Sequence, residues 1–126
     1  MNFRKHYTRD EARALLPMIR GWLAKLDQLR EQQEDLDARL AAAMTPGHDV
    51  GGPLVCAWVR NLAQIQSLAV EFLRREIQVK DFQRGLIDFP SLRNGHEVFL
   101  CWENGEEDVA YWHDLEAGYA GREKLD

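Results

Sequence analysis

From Arg9 onward, apolar residues return every three or four positions without a slip: Ala12, Leu15, Ile19, Trp22, Leu26, Leu29, Leu36, Leu40 and Ala43, with Gln33 the one polar member. This stepping predicts one long helix carrying a coiled-coil-like seam. Leu16 and Leu23 widen the stripe early, so the first half is expected to touch more than one neighbour. Charged flanks (Arg30, Glu31, Glu34, Asp35, Asp37, Arg39) narrow it later. Gln33 lowers the stability of the seam but can fix its register. Thr8-Arg9-Asp10-Glu11 is a capping box, in which the Thr8 hydroxyl accepts from the Glu11 amide and the Glu11 carboxylate accepts from the Thr8 amide. The helix is therefore expected over 9–44. Pro17 offers no amide to the Arg13 carbonyl, which predicts a kink near it.

Thr45 to Pro53 is a turn-rich connector, and Pro53 suits the first turn of a second helix over 54–78. Val55, Trp58, Leu62, Ile65, Ala69 and Phe72 form its expected seam, with Val59, Leu68 and Leu73 alongside. Two such helices predict an antiparallel hairpin. After Val79 the period changes. Gly85 to Phe89, stopped by Pro90, reads as a short strand; Ser91 to Gly95 reads as a loop; Glu97 to Glu103 and Asp108 to His113 read as strands. The tail 114–126 contains Gly118 and Gly121 and has no clear period. The expectation is a single α+β domain over 1–126: a long antiparallel helical hairpin followed by a small antiparallel sheet of about three strands over 85–113.

Asn104-Gly105 favours a two-residue type I′ turn. A two- or four-residue loop places Val98, Leu100 and Trp102 with Val109, Tyr111 and His113 on one face, and Phe99 and Cys101 with Ala110 and Trp112 on the other. An odd loop swaps the partners. The even loop is preferred because it gathers more apolar surface on one side, and it separates Cys101 from His113. Val98 to Trp102 is apolar throughout, whereas a sheet with one wet face alternates. Both faces should be covered, and one helical hairpin covers only one, which leaves the other to a partner chain.

Composition narrows the class. A 45% hydrophobic and 29% charged chain of 126 residues is ordinary for a soluble domain. Met1 to Arg9 has no apolar run, and the longest uncharged stretch, Val50 to Val59, is far short of the ~20 residues that span a bilayer. A cytoplasmic protein is expected, with no membrane partner. The net charge is −5, and Glu97 to Ala117 carries seven acidic residues without a Lys or Arg. Such a surface lacks the electrostatic footprint of a nucleic-acid binder. It could attract a cation or a basic partner, although most acidic runs are simply solvated. Cys56 and Cys101 have no zinc-type spacing and are expected to be small buried thiols.

"GLIDFP" at 85–90, "EVFLCW" at 97–102 and "YWHDLEAGYAGR" at 111–122 resemble a bacterial family, domain of unknown function 2203, as does the opening "YTRDEARALLPMIR" at 7–20. The likeness covers nearly the whole chain and is most specific in its last third. It implies no activity, substrate, cofactor or functional residue.

The candidate chemistry therefore rests on the residues themselves. Asp88, Trp102, Tyr111, Trp112, His113, Asp114, Gly118, Gly121 and Arg122 form a candidate binding patch. His113, Asp114, Asp88 and Glu103 offer N and O metal ligands, but no HExxH or DxDxDG spacing accompanies them, so no cofactor is favoured. Two classes of function stay open. One is a self-associating interaction or assembly module, a homodimer or higher homo-oligomer. The other is a small-molecule- or metal-binding enzyme with a pocket near Tyr111, His113, Asp114 and Arg122.

Overall fold

The computed structural model describes residues 1–44 and 52–126; most of the expected connector, 45–51, lies outside the described residues. The capping box forms as drawn from the sequence: the Glu11 amide donates to Thr8 Oγ1 at 3.1 Å, and the Thr8 amide donates to the Glu11 carboxylate at 3.0 Å. Helix α1 then runs Arg9–Ala43, continuing through an exposed Pro17. Helix α2 spans Gly52–Arg74, with Pro53 in its first turn. No described helix is long and apolar enough to cross a membrane.

α2 closes four residues earlier than its sequence suggested. Glu76 takes a left-handed φ of 57°. The Ile77 amide donates to the Phe72 carbonyl at 3.1 Å, and the Glu76 amide to that of Leu73 at 3.0 Å. That is a Schellman ending, and buried Phe72 and Ile77 supply its usual hydrophobic contact. Glycine normally marks this position; a glutamate there hid the stop. The chain turns directly into a strand that the sequence reading missed.

The sheet has five antiparallel strands, not about three: β1 (Gln78–Asp81), β2 (Leu86–Arg93), β3 (His96–Glu103), β4 (Tyr111–Asp114) and β5 (Glu123–Lys124), adjacent in chain order. Pro90 does not stop β2. The Tyr7 amide donates to the Pro90 carbonyl at 2.7 Å, on the edge beyond the last β1 pairing at Asp88. The Pro90 nitrogen faces that same open edge, where no ladder hydrogen bond is lost. The tight hairpin turn is Asn94-Gly95, with both residues at positive φ between paired Arg93 and His96. Asn104-Gly105 lies instead in a seven-residue β3–β4 connection.

The chain divides into two compact units, Met1–Leu23 with Glu71–Asp126, and Ala24–Val70. In the first, Ile87, Phe89, Val98, Leu100 and Trp102 are buried on one sheet face. Tyr7 packs edge-on to Phe89, and the Arg20 guanidinium lies over Trp102, so α1 residues up to Leu23 cover that face. In the second unit the two helical segments run antiparallel. The Asn61 amide group donates to the Leu29 carbonyl at 2.8 Å and to the Gln33 side chain at 2.7 Å, and Trp58 donates to Asp37 at 2.7 Å. Gln33 thus meets a polar partner that fixes the pairing. The inward stripe of this α2 segment is Leu54, Trp58, Asn61, Ile65 and Leu68; Trp58 and Ile65 of the expected seam lie on it, whereas Val55 and Ala69 are exposed.

Candidate functional site

Register decides which side chains share the second sheet face. Val98 pairs with Asp114, Phe99 with His113, Leu100 with Trp112 and Cys101 with Tyr111. The odd alignment is therefore the real one, and the preferred even loop is corrected. The β3–β4 connection is held by contacts the sequence did not advertise. The Asn104 amide donates to the Gly85 carbonyl at 3.0 Å, and that of Glu106 to the Glu103 carbonyl at 3.0 Å. Gly85 has φ +65°, and a Cβ there would come within 2.5 Å of the Asn104 Cβ, so only glycine allows this approach.

Asp88 on β2 lies across from Cys101 on β3, and His113 on β4 is diagonal to Cys101. The three residues are neighbours, although Cys101 and His113 were expected on opposite faces. One ligand atom from each lies within 4.8 Å of the other two, and all three residues are at most 2% exposed. His113 Nδ1 lies 2.7 Å from the Asp114 carbonyl, which can only accept, so Nδ1 carries the hydrogen. Nε2 then faces both Asp88 oxygens at 3.1 Å. Burial pushes the Asp88 carboxyl up, against the opposing pull of His113. Burial also pushes the Cys101 thiol up to about 12, reinforced by the charge of Asp88. A thiol so disposed is not an activated nucleophile. Cys56, by contrast, is exposed rather than buried.

This face is sealed by the chain itself. Phe3 stacks edge-on to Phe99 at 5.5 Å, and the amides of Asn2 and Phe3 donate to the Glu97 carboxylate at 2.7 and 3.0 Å, with His6 Nε2 at 2.9 Å from it. These bonds hold the Glu97 carboxyl down at about 2, His6 contributing most and burial opposing. On the other side, the Arg122 guanidinium lies 3.8 and 4.2 Å from the ring centres of Tyr111 and Tyr119 and donates twice to Glu106 at 2.9 and 3.1 Å. Tyr119 also donates to Glu103, which Arg84 pairs at 2.8 Å. The argument that this face required a partner chain is overturned: the N-terminal segment and the tail cover it.

The candidate patch therefore divides. Asp88, Tyr111, His113 and Arg122 come together, with Cys101 an unforeseen member. Trp102 and Trp112 lie on the opposite face, where Trp102 donates to the Glu106 carbonyl at 2.9 Å and Arg93 lies over the Trp112 ring. Asp114 is exposed and contributes its carbonyl, and Glu103 belongs to the Arg84–Tyr119 contact instead of the metal-type cluster. Gly118 and Gly121 are exposed, the first preceding and the second ending a short 3₁₀ turn, Tyr119–Gly121, that brings Tyr119 to Arg122. Part of the acidic segment is engaged by the chain's own side chains: Glu103 by Arg84, Glu106 by Arg122 and Asp108 by Arg13 at 2.8 Å, with Glu97 in hydrogen-bond contact with His6. Arg13 holds the Asp108 carboxyl down at about 2.

Comparison with known proteins adds one result. No curated protein and no solved structure matches the chain. A model of an uncharacterised conserved protein family matches residues 5–125, nearly the full length, so the chain belongs to that family, domain of unknown function 2203.

Proposed function

We propose that this chain is an interaction module that self-associates, as a homodimer or higher homo-oligomer, through its helical hairpin. The observation that carries the reading is a second apolar stripe on α2. At 100° per residue, Val55, Val59, Leu62, Ala69 and Val70 lie about 100° around the helix from the inward stripe, interrupted by Gln66. Val55 is 39%, Val59 52% and Val70 46% exposed. The only charged residue of α2 between Gly52 and Val70 is Arg60. A helix apolar over so wide an arc suits two helical neighbours, and the hairpin supplies one. A second copy of the same stripe is the simplest cover, since a two-fold interface is self-complementary.

The enzyme alternative has less behind it. Cys101 and His113 are closed to solvent, the Cys101 thiol is held protonated, and Arg122 is engaged by Glu106. The solution mass of the purified chain tests the assembly reading. Light scattering at micromolar concentration is expected to give at least twice the 14.6 kDa chain mass. A monomer mass across that range would overturn it.

A further inference from the structure

The Asp88–Cys101–His113 cluster lies outside the helical stripe proposed for assembly, and it gathers three different metal-donor types in one enclosed place. Because the Asp114 carbonyl fixes the hydrogen on Nδ1, His113 turns its Nε2 to the Asp88 carboxyl group, at 3.1 Å from both oxygens. Buried away from solvent, Nε2 and the carboxylate need either a proton or a cation between them, and the Cys101 sulfur beside them supplies a third donor that a cation can use. We propose that Asp88, Cys101 and His113 bind one thiolate-preferring divalent cation of the zinc class, in a closed structural site.

The donor set is consistent with this ion. Imidazole nitrogen, thiolate sulfur and carboxylate oxygen are the three zinc ligand types. Thiolate and carboxylate together cancel the charge of a divalent cation, leaving a buried site that is neutral overall. The 3.1 Å between Nε2 and each Asp88 oxygen matches the roughly 3.3 Å edge of a tetrahedron with ~2.0 Å bonds. Both Asp88 oxygens are equally placed, so a bidentate carboxylate can fill the fourth position. The Nδ1 donation to a backbone carbonyl is the second contact that orients metal-bound histidines. The sulfur lies within 4.8 Å of the other donors, so completing the site takes at most a side-chain adjustment of about 1 Å. Calcium and magnesium require all-oxygen surroundings and are excluded by the same donors.

The test uses the chain carrying Cys56→Ser, which removes the exposed thiol and leaves Cys101 as the only one. After chelator treatment it is titrated with cobalt(II) and, separately, zinc(II) and magnesium(II). The proposal expects one cobalt per chain, a thiolate-to-cobalt charge-transfer band, competition by zinc, a rise in melting temperature with either ion, and no response to magnesium. His113→Gln in the same background should weaken cobalt binding by on the order of 100-fold or more, above the usual effect of losing an outer-shell contact. Should that variant fail to fold, the charge-transfer band in the parent still decides the matter, because it requires Cys101 sulfur on the metal. Absence of saturable one-to-one binding overturns the proposal, as does binding without that band. Both would leave a buried Asp–His pair sharing one proton beside a thiol.

Discussion

The two units of this chain use apolar surface in opposite ways. In the sheet unit, Ile87, Phe89, Cys101, Trp102 and Val109 have no measurable exposure, and both sheet faces are covered by residues of the same chain. In the hairpin unit, only Leu26, Leu29 and Asn61 are buried among the described residues. Two layers enclose a core; two helices alone enclose little more than a seam. The difference teaches where to look for a partner. The aromatic sheet, the more conspicuous feature of the sequence, is complete by itself, and the plainer helix carries the unspent surface.

The two cysteines report this contrast directly. A thiol reagent applied to native protein is expected to take up one equivalent promptly, at Cys56, and the second only under conditions that open the sheet unit, because the Cys101 thiol is both enclosed and held protonated. Two equivalents at one fast rate would break the comparison. Substitution sharpens it. Trp102→Ala should cost about 3–5 kcal/mol in denaturant unfolding, the range for emptying a fully enclosed aromatic site. Asn61→Ala, in the hairpin, should cost about 1 kcal/mol, because it removes the two inter-helix hydrogen bonds to the Leu29 carbonyl and the half-buried Gln33 side chain. Equal losses at the two positions would mean the hairpin is better packed than its exposure implies.

A smaller effect is expected with pH. The Glu97 carboxyl is held at about 2 in the folded chain against an ordinary 4.5. A depressed folded pKa gives stability that is present above the unfolded value and lost as pH falls through the folded one. Glu97 therefore contributes fully above about pH 4.5 and progressively less down to about pH 2. Asp108, held down by Arg13, acts in the same sense. Glu97→Gln should lower stability near neutral pH and make its decline across that acid window shallower, as acid-unfolding curves of the two proteins would show. Parallel curves would mean the N-terminal segment is not anchored through this carboxylate.

What was legible in the sequence follows from how local each signal is. The capping box is a four-residue contact, and it formed as read. The α1 stripe is a repeated local period, and its buried members Ala12, Ile19, Leu26 and Leu29 were on it. The end of α2 was missed because Glu76 adopts the left-handed conformation that glycine usually marks. β1 and β5 are four and two residues long, too short to show alternation. The register of β3 on β4 was misjudged for a more instructive reason. Two Asn-Gly dipeptides occur, and the tight turn sits at 94–95, while 104–105 is part of a longer connection pinned to Gly85, some twenty residues away. With the register went the site. Asp88 and His113 were both named from chemistry, but placing Cys101 beside them needed the odd pairing. On α2, Trp58 and Ile65 lie inward as expected but Val55 and Ala69 do not, because the helix is apolar on both sides and a polar residue, Asn61, makes the inward contacts.

In the proposed assembly the hairpin takes a second copy while the sheet takes none. Val59, 52% exposed on the outer stripe, separates the two statements. Light scattering on wild type and Val59→Glu at equal concentration, with Cys101 labelling followed in the same samples, is the most direct measurement. The proposed assembly gives at least twice the 14.6 kDa chain mass for wild type, a fall to the single-chain mass for Val59→Glu, and slow Cys101 labelling in both. An unchanged oligomer in Val59→Glu would contradict the assignment of the interface to this stripe, and a wild-type monomer would contradict self-association itself.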